Sequence, residues 1–599
     1  MATFAKAIEI LKFKEELKMR KQGSKILAAL LVASMTLSMA ACGQDEVNSK
    51  VTESESKVAE STESATEPVQ EDLYYNKEGL RICDDKITIT VTGRASSNTP
   101  DWSKTAMIQY IEDEMGIAMD ITTHASDVWK TQLALMQAED NMPDLTVNGS
   151  WDKAQSNQAG MDGYLLDLSQ YLDIMPNFAA YLEANPDYKA YNTAPNGAIY
   201  GLAGVSETRS SKNYGGIYVS LADMEKYGFT AEDISTTEGF YNVLKKIKET
   251  DPDRIPLCCT VDSSVAKAAN HVLKAAFGVY VMADNYMLGF DENGKALCYE
   301  TTDNYKAYIN YMNRLYEEKL LDNDCFIMTK DELKTKIKAG TPVFFSSADA
   351  LMATLGAKDN TIVRDYYNLI AMKSDLVDEA TVMYSSLVSN GTELWVSADT
   401  EYPEAICRLI DYCFFTYEGY LLTSFGVEGV SYVLEDDGFG NMVPNDSALF
   451  DAEKSGYENK SKWKWGANVV SGFATTFKRH PRDKFIETCS IEELDNVING
   501  DVLSYISYAH NEKAVREQSD RCVFVSPGLV YLDTEKDKQA SLMTDIQTYV
   551  KTMKPQFIRG EVDIDAEWNN YVAKINSIGL EELLSIEQAA YDRWVTNIK

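Results

Sequence analysis

The residue types that usually carry catalysis are present but do not assemble into a known constellation. The four histidines, at positions 124, 271, 480 and 510, are far apart with no HExxH spacing, so each reads as a surface or packed histidine rather than a zinc ligand. There is no GxSxG nucleophile elbow and no GxxxxGK[ST] phosphate loop. Paired carboxylates of the glycosidase kind remain open in a chain with 92 Asp and Glu, but abundance alone marks no site. The aromatic inventory is more informative, with 8 Trp, 35 Tyr and 20 Phe. Sugar rings present apolar C–H faces that stack on aromatic planes, and their hydroxyls need neutral amides and carboxylates as partners. Trp151-Asp152, at the end of a predicted strand, is the leading candidate for such contact. Arg94, Asp101 and Trp102 follow the first predicted strand, Tyr200 and Tyr214 flank a later crossover, and Trp395, Trp463 and Trp465 complete the candidates. Trp129, on a predicted helix, and Trp568 and Trp594, near the C-terminus, read as structural. No catalytic residue and no metal ligand is assigned, no cofactor is implied, and the chain reads as a binding protein rather than an enzyme.

One cysteine stands apart from the rest. Arg20-Lys21-Gln22-Gly23-Ser24-Lys25 precedes an apolar run from Ile26 to Ala41, shorter than the ~20 residues of a membrane span and typical of a secretory signal. The run ends Leu37-Ser38-Met39-Ala40-Ala41-Cys42, a bacterial lipobox with Met where Leu is more usual. Cys42 is then the expected lipidated N-terminus of the mature protein, with translation starting at Met19 and residues 1–18 an upstream extension. Residues 19–42 form the signal and lipobox. Beyond it, Gln44–Asp72 holds nine acidic residues against Lys50 and Lys57 with almost no large apolar side chain. Such a stretch cannot offset the entropy of ordering, and residues 43–83 are expected to be a disordered, self-repelling tether.

The formal charge of −35 becomes −39 once residues 1–41, with seven basic and three acidic side chains, are removed. A surface of that sign argues against nucleic acid and against anionic lipid as partners. Of the ten cysteines, nine lie outside the lipobox, an odd number without CxxC spacing, so neither a disulfide framework nor a zinc ribbon is implied. They read as buried thiols.

The elements that must position the candidates begin near Lys86. A strand is predicted over 87–92, a helix over 104–115 with Ala106, Met107, Tyr110, Ile111 and Met115 on one face, a strand over 117–122, a helix over 128–138 and a strand over 143–147. Alternation of strand and helix predicts an α/β body with a parallel sheet, whose ligands meet the loops at strand carboxyl ends, here 93–102 and 148–152. Asp291-Glu292-Asn293-Gly294-Lys295 predicts a hairpin turn.

From residue 84 onward the chain resembles the extracellular solute-binding proteins of carbohydrate ABC importers, the group that includes maltose-binding protein. The blocks that carry the resemblance, in order, are 113–151 (DEMGIAMDITTHASDVWKTQLALMQAEDNMPDLTVNGSW), 163–178 (GYLLDLSQYLDIMPNF), 197–204 (GAIYGLAG), 217–229 (IYVSLADMEKYGF), 236–257 (TTEGFYNVLKKIKETDPDRIPL), 311–324 (YMNRLYEEKLLDND), 402–438 and the tail from 557. The resemblance implies a type II periplasmic-binding-protein fold, with two discontinuous α/β lobes, a hinge and an interlobe cleft. Lobe 1 is expected at about 84–210 and 366–428, lobe 2 at about 211–365 and 429–599. Maltose-binding protein places a Trp where Trp151 stands and a sugar-binding Asp a few residues on, from which Asp152 is offset. Some relatives carry a calcium loop before the "IPL" strand; here Asp251-Pro252-Asp253-Arg254 lacks that ligand set, so no calcium is expected. The implied function is a monomeric, outward-facing lipoprotein on the cell membrane that captures a sugar or oligosaccharide by hinge closure and delivers it to ABC permease subunits. The alternatives are a receptor for an oligopeptide or other solute, and a surface glycan-degrading enzyme.

Overall fold

In the computed structural model, the described residues are 73–95, 101–206, 216–260, 268–281, 287–346, 361–384, 392–470, 477–478, 481–501, 503–524 and 529–598. They fall in one compact unit, Leu73–Lys599. Cys42, Tyr214 and the signal segment lie outside them.

The first residues of this unit are already part of a core. Tyr75, Ile82 and Cys83 are buried, the Tyr74 hydroxyl donates to Glu404, and Arg408 donates to the carbonyls of Asn76 and Gly79. Residues 73–83, expected within the tether, are thus fastened to the folded unit by Tyr75, Ile82 and Cys83 and by the hydrogen bonds of Tyr74 and Arg408.

Two four-stranded sheets organise the remainder of the unit. The strands, in chain order, are β1 (Ile87–Arg94), β2 (Ile117–His124), β3 (Leu145–Trp151), β4 (Ile217–Ser220), β5 (Ile255–Cys258), β6 (Pro342–Ser346), β7 (Tyr366–Leu369) and β8 (Thr392–Val396). The first sheet has the order β8-β3-β1-β2, with β1 parallel to β2 and β3, and β8 antiparallel to β3. The second has the order β7-β4-β6-β5; β4 runs antiparallel to both neighbours while β5 and β6 are parallel. Both sheets are thus mixed, where alternation alone predicted parallel ones. In β1 the alternation of Thr88 and Thr90 with Ile89 and Val91 puts the apolar pair in the core and the threonines outside.

Among the helices are α1 (Ala106–Tyr110), α2 (Trp129–Ala138), α3 (Lys153–Met161), α4 (Pro186–Asn192), α5 (Pro403–Phe415), α6 (Tyr417–Phe425), α7 (Leu503–Gln518), α8 (Asp533–Ile558) and α9 (Leu580–Ile598). Met107, Ile111 and Met115 are buried with Ile89, Val91, Val147, Leu394 and Ile406 in one core. Ile217, Leu257, Phe344 and Leu369 form another with Ile546 and Phe557 of α8 and Leu583 of α9. These two cores define two bodies. The predicted hairpin at 291–295 is present, joining antiparallel strands Leu288–Phe290 and Ala296–Cys298.

Two segments differ from the expected lobe boundaries. β7 is hydrogen-bonded to β4 in the second sheet, so the return to the first body, expected at 366, comes only between 384 and β8. Two points of the segment after 429, expected in the second body, meet the first: Val470 lies in the first core and Phe477–Lys478 pairs with Val205–Ser206. Strand partners are chosen over long sequence distances, and a short apolar strand carries no mark of which sheet it will join. The bodies touch where α4 meets α9. They are also joined by the hairpin Val433–Asp436/Met442–Asn445, whose turn residue Asp437 accepts the Tyr505 hydroxyl of α7 at 2.6 Å.

Candidate functional site

The carboxyl ends of β1 and β3 lie side by side, with Gly93 opposite Val147, which brings Arg94 next to Asn148. The Arg94 guanidinium donates to Asn148 Oδ1 at 3.2 Å, and Asn148 Nδ2 donates back to the Arg94 carbonyl at 3.0 Å. Asn148 adopts φ 51°, a left-handed conformation that asparagine tolerates better than most residues. Glu393 of β8 completes a polar rim: burial pushes its carboxyl up, and the Arg94 charge pulls it back. All three are half-buried. A guanidinium donor, an amide that both donates and accepts, and a carboxylate acceptor on one rim form the set that ring hydroxyls require.

Beneath the rim is an aromatic cluster of Trp129, Trp151, Trp395 and Tyr200, packed with Leu133, Ala159 and Leu165. Trp151 stacks on Trp395 with ring centroids 4.5 Å apart and planes at 6°. The strand register explains how they meet. Leu145 and Val147 enter the main core, but the β3/β8 ladder shifts register between Thr392 and Leu394, and left-handed Asn148 turns the end of β3 toward the opposite cluster. Tyr200 lies over Gly160, where a Cβ would come within 2.0 Å of the ring, so α3 needs glycine there. The Tyr200 hydroxyl accepts from Asn196 at 2.7 Å.

Several polar atoms are enclosed in this region without a partner among the described residues: the indole nitrogens of Trp129 and Trp395, His124 Nε2 and both amide atoms of Asn157. Burial lowers the His124 pKa, so the imidazole is held toward its neutral form, and it stacks on Trp129 at 5.7 Å. Lys153 is fully enclosed at the start of α3. Its ammonium donates to the Gly201 carbonyl at 2.7 Å and to Asn192 at 3.4 Å, and burial brings its pKa down to about 7.

The structure sorts the candidate residues into three groups. Arg94 lies on the rim, while Trp151 (8 % exposed) and Tyr200 (8 %) belong to the aromatic cluster. Asp152 caps α3 in a capping box with Gln155 and reaches across to the second body, pairing with Lys536 of α8 at 2.7 Å. Trp102 (1 %) and Trp395 (0 %) are enclosed, Trp102 lying so close to Gly93 that a Cβ there would meet its ring at 2.4 Å; direct ligand contact expected of these two does not fit this arrangement. Asp101 is half-buried, capping the turn Trp102–Lys104 and pairing with Lys104 at 2.8 Å, which together with Ser103 lowers its pKa. Trp463 packs on Phe450, and Trp465 is half-buried with the Lys464 ammonium 5.1 Å from its ring centre; both stand on helical turns rather than in a loop. Asn148, Glu393, Asn196 and Lys153 are additions from the structure. Asn148 alone had a local signal, as the residue before a glycine at a strand end.

At the calcium-loop position of the resemblance, Asp251 and Arg254 are each held in an ion pair. Asp251 pairs with Lys226 at 2.8 Å and Asp223 with Arg254 at 3.1 Å. The described cysteines form no disulfide, and all but Cys522 are buried.

No family model matches the chain. In sequence it is 23% identical over 591 residues to the fructooligosaccharide ABC transporter substrate-binding protein FusA of Streptococcus pneumoniae, across 95% of this chain and 98% of that protein. It is 24% identical over 381 residues to the lipoprotein LipO of Bacillus subtilis, across 61% and 71% of the two chains. In structure it matches an HMO-binding, ABC-transporter-associated solute-binding protein of Bifidobacterium longum infantis with a TM-score of 0.64 at 19% identity, covering 85% of this chain and 99% of that one. The two-lobed α/β fold of this chain is that of the extracellular solute-binding proteins of ABC importers.

Proposed function

We propose that this protein is a substrate-binding lipoprotein that captures an oligosaccharide between its two bodies and presents it to an ABC permease at the outer face of the cell membrane. The observation that carries the reading is the Arg94–Asn148–Glu393 rim at the carboxyl ends of the first sheet, on a fold whose matched relatives include a fructooligosaccharide-binding protein. The rim supplies donors and acceptors in one place, and Trp151 and Tyr200 border it as aromatic support. Closure brings the second body onto a bound ligand, so contacts from both sides shift the population toward the closed form. Anchoring rests on Cys42 in its lipobox and on the likeness to a protein named as a lipoprotein. Delivery as a monomer and pairing with two permease subunits belong to the same reading.

A thermal-shift screen over fructo-, milk- and plant-type oligosaccharides tests it, since a ligand at 100 times its dissociation constant adds ~2.7 kcal/mol to stability. Arg94→Ala and Glu393→Gln should each cut the shift given by the best glycan to about half or less without lowering the unliganded melting temperature by much. A shift unchanged in both variants would reject the rim as the site. Chemical shortening of the glycan by the pure protein would replace capture with hydrolysis. For the anchor, Cys42→Ala should release the protein from membranes or leave it unprocessed.

A further inference from the structure

The first body carries a recess of about 490 Å³ whose described walls share no residue with the rim. Tyr110 of α1, Tyr412 of α5, Tyr417 and Glu418 of α6, and Glu428 and Tyr432 of the segment after α6 face one another across it. Among the described residues, no lysine, arginine or histidine lines it. Its polar walls are four phenols and two carboxylates, with exposed Glu418 and Glu428 at the mouth and buried Tyr432 within, and Leu421, Leu422, Val427 and Leu434 with Gly426 complete the lining. Burial, followed by the neighbouring Glu428 and Tyr417, pushes the Tyr432 hydroxyl up to about 12, and burial raises Tyr110 and Tyr412 in the same direction. The phenols thus stay neutral, and the negative potential of the recess comes from the carboxylates, the phenolic lone pairs and the ring faces. The Tyr417 hydroxyl is enclosed with no hydrogen-bond partner among the described residues, an unusual state for a buried phenol.

The aromatic group around this recess already receives one ammonium. The Lys464 Nζ lies 4.0 Å from the centre of the Phe425 ring, and Phe425 packs edge-on against Tyr432 at 6.0 Å. A recess of this size falls in the range of small-ligand sites, ~300–1,000 Å³. Tyrosine rings among the walls with carboxylates at the mouth suit a charged, poorly hydrated nitrogen. A neutral sugar would find acceptors in excess and only phenolic donors.

We propose that this recess binds an organic ammonium ion of the alkylated-amine class. The four tyrosines surround the cationic head, and Glu418 and Glu428 neutralise it at the mouth. The site is independent of glycan capture and stands or falls separately from it.

Calorimetric titration of the full chain with choline chloride tests the proposal, with 3,3-dimethylbutan-1-ol as the uncharged isostere. Choline should bind saturably and about tenfold or more tighter than the alcohol, the ratio expected when a cation meets desolvated ring faces. Tyr417→Ala should weaken choline about tenfold and Glu428→Gln about threefold. Glu428 is exposed, so its variant keeps the fold and makes the test independent of any instability in the tyrosine variant. Glycan-induced thermal shifts should be unchanged in both. Equal affinity for choline and the alcohol, absence of saturation by about 10 mM choline, or displacement of choline by an oligosaccharide would overturn the assignment.

Discussion

Replacing Trp151 with alanine separates packing from recognition in a single variant. The residue lies at the carboxyl end of β3, the position at which a doubly wound body shows side chains to its ligand, yet its indole is only 8 % exposed. It is stacked on Trp395 at 4.5 Å and 6°, and Trp395 is itself wholly enclosed. Truncation would remove most of a buried aromatic, which costs ~3–5 kcal/mol when the cavity cannot collapse. Of that, the lost ring pair accounts for ~0.5–1.5 kcal/mol beyond area burial. Urea unfolding should therefore show a lower midpoint at unchanged slope. Glycan titration below the new transition should give an affinity within about threefold of the parent, because ~0.6 kcal/mol is all that the exposed edge can supply. Trp151→Phe, which retains a ring against Trp395, should recover part of the lost stability. Stability within ~1 kcal/mol of the parent, together with a tenfold or greater loss of affinity, would refute the packing argument and place the indole in the ligand's path.

Arg94→Ala should weaken glycan binding by roughly ten- to hundredfold, the loss of a charged hydrogen bond worth ~1.5–3 kcal/mol, as read by calorimetry. Lys153 has a folded pKa of about 7 against 10.5 for the free side chain, so between these values the unfolded chain binds more protons and stability rises with pH, by at most ~1.4 kcal/mol per pH unit; Lys153→Met should flatten that slope in denaturant titrations from pH 7 to 10. Because Lys226 and Arg254 already engage Asp251 and Asp223, adding calcium or a chelator should leave the melting temperature within about 1 °C, and a saturable calcium-dependent rise would show a cation site at that loop.

Much of the first body was legible in the sequence because its signals are local. The alternating Thr and Ile or Val of β1 and the helical spacing of Met107, Ile111 and Met115 each announce an element and its buried face. The direction of Trp151 was not legible. It depends on the left-handed backbone of Asn148 and on an irregular pairing with β8, a strand far along the chain. Glu393 was hidden for the same reason, since nothing near it in sequence indicates that β8 runs beside β3 and brings its carboxylate near Arg94. The misplaced lobe boundary at β7 is the same failure at the scale of a strand. Trp102 shows the opposite error: its place after β1 suggested a cleft, but glycine at 93 leaves a space that the indole fills.

The forces that hold the two bodies against each other bear on how capture could work. The rim's neighbour Asp152 pairs with Lys536 across them, with the two side chains 50 % and 33 % exposed. A pair so open to solvent contributes ~0–1 kcal/mol, less at high salt. It cannot by itself fix a closed form, since moving a two-state population from 1:99 to 99:1 requires ~5.5 kcal/mol of differential affinity. In the proposed mechanism most of that difference must come from the ligand, through Arg94, Asn148 and Glu393 on one side and the second body on the other. Asp152–Lys536 then acts as a bias on closure rather than a lock. Lys536→Ala should accordingly change glycan affinity by no more than about fivefold and reduce its salt dependence, whereas a loss comparable to that of Arg94→Ala would mean that this pair, and not the rim, governs capture.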